Sequence, residues 1–125
     1  MAARTVRPVL GNVSMYATSQ TYSADAATAL AGVRLIDMPW LLQPDHAAVM
    51  VYPRAQFAEG IDFDRLYAFG IDAFRIGLEL LRQARSPVID GVTGRIHLTT
   101  DQQFTREPVY AQFADGKLAV IGEPR

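Results

Sequence analysis

His46 and His97 are the chain's two histidines, and there is no cysteine. These imidazoles are therefore its only groups suited to near-neutral base catalysis or to nitrogen or sulfur ligation of zinc. His97 stands on the outward side of a predicted strand, where a solvated ring is expected. His46 falls in the first turn of a predicted helix, beside Asp45 and with no acidic residue three or four positions on. Neither shows metal-ligand spacing. Ser14, Ser19, Ser23 and Ser86 lack the Gly-x-Ser-x-Gly surroundings of a nucleophile elbow. Gly91-Val92-Thr93-Gly94 has the glycines of a phosphate loop. A Walker-type loop needs Gly-Lys-Ser/Thr opening a helix, and here Arg95 opens a predicted strand. No spacing brings two carboxylates together for acid–base work. The reading is of a protein that is not an enzyme, with no catalytic residues, no metal site and no cofactor.

One polar group of residues is different. Thr18, Ser19, Gln20 and Tyr22 follow a predicted strand and precede a predicted helix, and Trp40 takes the corresponding place after the second strand. In open α/β sheets the crevice beyond the carboxyl ends of the strands is where ligands bind, which makes these five residues ligand-cleft candidates. A plain polar loop and a packed tryptophan account for them more readily.

The elements that would hold these residues can be read from period and punctuation. Val13 to Thr18 alternates as a strand, and Ser23 can cap a short helix over Asp25 to Ala31, stopped by Gly32. Val33 to Met38 reads as a second, buried strand ended by Pro39. Trp40-Leu41-Leu42 is apolar and outside any period. Gln43-Pro44-Asp45 turns into a helix over His46 to Tyr52 with Asp45 as its cap. Asp62 to Ala84 is the clearest helix. Leu66, Phe69, Ala73, Ile76 and Leu80 keep its spacing, while Ile71, Phe74, Leu78 and Leu81 extend the apolar character around it, which predicts burial on two sides. Gly70, Ala73 and Gly77 form a small-residue stripe, expected to let a neighbour approach closely. Asp90 to Gly94 is a turn, Arg95 to Thr99 a strand with Ile96 and Leu98 inward, and Val109–Phe113 with Leu118–Ile121 a closing hairpin across Ala114 to Lys117.

Composition bounds the rest. The 125 residues are 50% hydrophobic and 20% charged with a net charge of −1, ordinary for a globular chain and without the basic stripe that nucleic acid requires. No apolar run approaches the ~20 residues of a membrane span. The opening Met1 to Pro8 has no signal-peptide core, so the chain is expected to be cytoplasmic or an internal piece of something exported.

Several strings together resemble the LppC lipoproteins: Tyr16 to Ser23, Leu30 to Leu42 with its Asp37-Met38-Pro39-Trp40 centre, Arg65 to Phe74, Gly91-x-Thr93-Gly94, and Arg106-x-x-Val109-Tyr110-Ala111-Gln112-Phe113-x-x-Gly116. The Asp-Met-Pro-Trp string is the most specific. The resemblance implies an α/β fold, with residues 1–125 as a single domain or the C-terminal fragment of a two-lobed, open-sheet domain of the periplasmic-binding-protein type I kind, closed by a β-hairpin. It further implies a periplasmic interaction module, anchored to the outer membrane by a lipid attached elsewhere in the full-length protein. Such a module would bind and activate a class A penicillin-binding protein in peptidoglycan synthesis. The alternative is a fragment of a small-ligand, amino-acid-type periplasmic binding protein. A weaker one is a hydrolase or transferase whose site needs a missing half. As a fragment the chain would expose apolar faces, so a homodimer is expected of it in isolation.

Overall fold

The computed structural model describes residues 16–17, 30–54, 60–82 and 85–122. In chain order its elements are β1 (Tyr16–Ala17), β2 (Arg34–Asp37), α1 (Pro39–Leu42), α2 (Ala47–Met50) and α3 (Ile61–Leu81), then β3 (Val88–Asp90), β4 (Arg95–Leu98), β5 (Phe104–Glu107), β6 (Val109–Ala114) and β7 (Lys117–Ile121). The architecture is α/β with two open sheets, distributed over two compact units, residues 1–37 with 109–125 and residues 38–108.

The first unit carries a mixed sheet in the order β1-β2-β6-β7. β1 runs parallel to β2, and the other two pairings are antiparallel. Leu35 and Ala111 are cross-strand partners, and with Val33 and Phe113 they are the buried residues among those described in this unit. Alternation with exposed Ile36 makes β2 half-buried rather than buried throughout, as its apolar run had suggested. Gly32 has φ 81°, the left-handed turn expected of the stop before β2. The β6–β7 hairpin turns through Asp115 and Gly116 at φ 50° and 71°, the pair of positive values that a two-residue hairpin favours. Of the predicted strand from Val13 and the predicted helix from Asp25, residues 13–15, 18 and 25–29 lie outside the described part.

The second unit is built on α3. Pro39 ends β2 as predicted, but its ring also starts α1, because a first-turn proline loses no helical hydrogen bond. Trp40 is thereby placed on a helix, and its N–H donates to the carbonyl of Val92 at 2.8 Å. α2 is shorter than predicted and is capped by His46, whose Nδ1 accepts from the N–H of Ala48 at 3.2 Å, in place of Asp45. Trp40, Val49, Ala68 and Val92 make a buried cluster, with Met38, Tyr67 and Ile71 among the residues packed around it. The antiparallel sheet β3-β4-β5 contains two strands that the sequence had not suggested, β3 and β5.

The facing of α3 departs from expectation. Its buried positions among those described are Ala68 and Asp72, one turn apart. Asp64, Arg65, Arg75 and Glu79 are half-buried on that same side of the helix. The opposite side is largely apolar, with Leu66 64%, Phe74 69% and Leu81 81% exposed, and Leu80 and Phe69 about half so, the latter beneath the Arg106 guanidinium at 5.6 Å. Leu66, Phe69 and Leu80 share a face as their spacing predicted, but Phe74 and Leu81, expected to carry the apolar character round to a second buried side, are exposed as well. Among the described residues the helix is buried on one side only, and that side carries Asp64, Arg65, Asp72, Arg75 and Glu79. Nor does a neighbour among the described residues approach the stripe's glycines closely: a Cβ added at Gly70 or Gly77 would meet no atom within 4 Å.

Candidate functional site

A carboxylate in the middle of an otherwise apolar stretch of helix must be paired or hydrogen-bonded if it is buried. Asp72 is 1% exposed and meets that demand through the turn between β3 and β4. Its Oδ1 accepts from the N–H of Val92 at 3.0 Å, and its Oδ2 from the N–H and the hydroxyl of Thr93 at 2.8 and 2.6 Å. Arg75, one turn along α3, lies 3.6 Å from Oδ1 and donates to the carbonyl of Asp90 at 2.9 Å. The turn itself is closed by Gly91 N–H donating to the carbonyl of Gly94 at 3.0 Å. Both glycines are sterically required. A Cβ at Gly91 would stand 2.5 Å from Asp72 Oδ2, and Gly94, at φ 138°, passes hard against the carbonyl of Glu107. With both carboxylate oxygens engaged and the turn buried from Gly91 to Gly94, this constellation clamps α3 to the sheet and leaves no open valence for a substrate.

Trp40 packs under the same turn. Its ring is fully buried, with the Arg54 guanidinium 4.1 Å above the ring centre and Tyr67 tilted against it at 5.6 Å. Tyr67 in turn donates to the carbonyl of Pro53 at 3.2 Å, which holds the 52–54 segment over the indole. The indole Nε1 is buried without a hydrogen-bond partner among the described residues. Of the five cleft candidates, Thr18, Ser19, Gln20 and Tyr22 lie outside the described residues, and Trp40 has no free ring face in this arrangement.

The two histidines have separate partners. His97 Nε2 is 2.6 Å from the hydroxyl of its cross-strand partner Thr105, and Nδ1 is 4.0 Å from Glu107. His46 Nε2 is 3.5 Å from Asp90. Among the described residues, no group of three or more His, Cys, Asp or Glu could hold a metal ion. Two surface grooves of about 440 and 450 Å³ flank α3, one lined by Tyr52, Arg75, Arg82 and Asp90, the other by Leu80, Leu98 and Phe104. In the first, Arg82 is tied to Glu79 at 3.0 Å, and Arg75 is held between Asp72 at 3.6 Å and the backbone carbonyl of Asp90.

Three of the strings that looked family-specific build this centre: Met38-Pro39-Trp40, the α3 segment through Asp72, and the Gly91–Gly94 turn. The model of the LppC putative lipoprotein family matches residues 3–116. The chain belongs to the LppC family. Curated relatives include the penicillin-binding protein activator LpoA of Pantoea ananatis, 30% identical over 86% of this chain, and that of Yersinia pseudotuberculosis, 28% identical over 86%. The chain spans only 16% and 17% of the length of these relatives. Among solved structures, the LpoA C-domain of Haemophilus influenzae, described as a regulator of PBP1A, superposes with a TM-score of 0.70 at 23% identity, over 94% of this chain and 39% of that one. A putative branched-chain amino acid ABC transporter of Chromobacterium violaceum gives a TM-score of 0.64 at 39% identity, over 89% of this chain and 39% of that one. The LppC chain therefore shares its fold with proteins of the periplasmic-binding-protein kind.

Asp72 and Thr93 are the residues that sequence reasoning missed. The available signal was a lone acid at the middle of a helix with apolar neighbours, which needs donors from elsewhere in the chain. A Gly-x-Thr-Gly turn twenty positions later offers N–H groups and a hydroxyl.

Proposed function

We propose that this LppC chain is a non-catalytic part of a periplasmic, outer-membrane-anchored regulator, which binds a class A penicillin-binding protein and activates its peptidoglycan synthesis. The observation that carries this reading is the use to which the family-specific residues are put. Trp40, Asp72, Thr93 and the two turn glycines are spent on holding α3, α1 and the β3–β4 turn together, a framework for presenting surfaces. The names of the curated relatives point the same way. The test is to immobilise the periplasmic part of a class A penicillin-binding protein, titrate this chain over it, and follow glycan polymerisation in parallel. Saturable binding with a rise in polymerisation rate is expected. No binding and no change in rate at excess chain would overturn the reading.

A second reading has a specific support, the 39% identity to the protein described as a branched-chain amino acid ABC transporter. There the chain would contribute to a small-ligand cleft through Thr18, Ser19, Gln20 and Tyr22, with Trp40 buried and out of a ligand's reach. Calorimetric titration with leucine, isoleucine and valine separates the two: heat of binding that disappears on Gln20→Ala supports the cleft, and its absence at millimolar ligand removes it.

A further inference from the structure

We infer that the outer edge of β7 pairs with the same edge of a second copy of this chain, joining the two sheets antiparallel about a two-fold axis at Ala119. β7 ends the order β1-β2-β6-β7 and has no neighbour on its far side among the described residues. The hydrogen bonds of β6 decide which of its groups face outward. Gly32 N–H donates to the carbonyl of Phe113 at 2.6 Å, and Phe113 N–H donates to the carbonyl of Val33 at 3.0 Å, so Phe113 spends both groups on the β2 side. Its partner in β7, Leu118, therefore stands in a non-hydrogen-bonded pair, as does Val120 opposite Ala111. The N–H and C=O groups of Leu118 and Val120 point away from β6, along an open edge. Edges are normally guarded by charge, proline or shortness. β5 carries Arg106 and Glu107 and runs into Pro108, and β3 is three residues long. β7 has its one charge at its first residue, Lys117, and continues as Leu-Ala-Val-Ile. Val120 stays 45% exposed although its partner Ala111 is fully buried.

The occupant follows from the self-complementarity of this edge. Ala119 is the middle residue of β7, so an axis there pairs the strand over its whole length. Leu118 and Val120 of one copy then form hydrogen-bonded pairs with Val120 and Leu118 of the other, and their apolar side chains meet across the seam. Ala119 faces its own counterpart in a non-hydrogen-bonded pair, the closer kind, where a small side chain fits. Lys117 falls opposite Ile121, about 14 Å from the other Lys117, beyond the screening length at physiological salt. The homodimer expected from the sequence thus acquires a strand-edge interface with a defined register.

The contact is small, so association is expected to be weak and to rise with concentration. Hydrogen exchange of the unsubstituted chain reads it directly. The amides of Leu118 and Val120 are expected to slow on the order of tenfold between about 10 µM and about 1 mM chain, while those of Ala119 and Ile121, bonded to β6, stay equally protected. Because the chain has no cysteine, Ala119→Cys sets a single thiol on the axis. Mild oxidation is expected to cross-link its copies about tenfold faster than those of Lys117→Cys. Val120→Pro removes an outward N–H that β6 does not use, and is expected to abolish the Ala119→Cys cross-link with the circular dichroism spectrum unchanged. Should that proline disturb the fold, Ala119→Lys tests the same contact by placing two ammonium groups on the axis, and is expected to return the Leu118 and Val120 amides to fast exchange. Exchange of these amides that ignores concentration, or equal cross-linking at 117 and 119, would overturn the inference. So would a monomer in sedimentation up to about 1 mM, which would leave the edge to an extended strand of another protein. No readout involves a penicillin-binding protein, so failure here leaves the regulatory reading to its own test.

Discussion

The hydroxyl and the backbone N–H of Thr93 converge on the same oxygen of Asp72, at 2.6 and 2.8 Å. Twenty-one residues separate the two, so this contact is a long-range tie between the middle of α3 and the β3–β4 turn. Bonds to an ionised, buried acceptor contribute about 1.5–3 kcal/mol each, and removing the acceptor strands the donors.

Asp72→Ala is therefore expected to lower unfolding stability by about 3–5 kcal/mol, the range for breaking a buried charged network. Thr93→Val, which keeps the shape and deletes one bond, should cost about 1.5–3 kcal/mol. Urea denaturation followed by circular dichroism measures both. A loss under about 1 kcal/mol for Asp72→Ala would mean that the clamp is not formed in solution.

Glycine substitutions should divide by location. Gly91→Ala drives a methyl group to within 2.5 Å of Asp72 Oδ2 and should destabilise by about 1–3 kcal/mol. Gly70→Ala meets open space on a helix and should stabilise the free chain by up to about 1 kcal/mol. Thermal melts of the two variants should move in opposite directions, and a drop for Gly70→Ala would show that the stripe is already packed against something.

How far the sequence could be read follows from these particulars. α3 was legible within a few residues because its apolar period runs for more than five turns. The β6–β7 hairpin was legible because Asp115-Gly116 suits the turn that it makes. β5 was not: all of its residues are exposed, so Phe104 to Glu107 has no inside–outside alternation to detect. β3 is three residues long. The facing of α3 was misread because a period shows which residues share a face, and not which face is covered. The clamp was hidden because Asp72 finds its donors across the fold, where local pattern carries no information. The strand-end polar residues from Thr18 to Tyr22 remain candidates on sequence grounds.

That misreading has a measurable consequence. In the free chain Phe74→Ala should change stability by no more than about 0.5 kcal/mol, as for other exposed positions. Val92→Ala, at a fully buried position against Trp40, should cost about 2 kcal/mol. Chemical denaturation of the pair gives the comparison directly, and equal losses would place Phe74 in a packed environment.

Trp40 offers the sharpest discrimination between packing and hydrogen bonding. The ring is fully buried beneath Arg54, yet its Nε1 has no partner among the described residues. Trp40→Ala should cost about 3–5 kcal/mol, the usual figure for emptying a large aromatic site. Trp40→Phe leaves a smaller void, worth about 1 kcal/mol at ~24 cal/mol per Å³. It also removes a buried donor whose unsatisfied state costs about 1–3 kcal/mol. The two effects oppose each other, so Trp40→Phe is expected to fall within about 1 kcal/mol of the parent chain. Arg54→Met, which keeps the aliphatic cover and deletes the cation over the ring, should cost about 0.5–2 kcal/mol in the parent. Because Trp40 is the chain's one tryptophan, unfolding of the substituted forms must be followed by circular dichroism rather than by indole emission. A loss for Trp40→Phe approaching that of Trp40→Ala would mean that Nε1 is bonded in solution, and that the indole is held there by a polar partner as well as by its bulk.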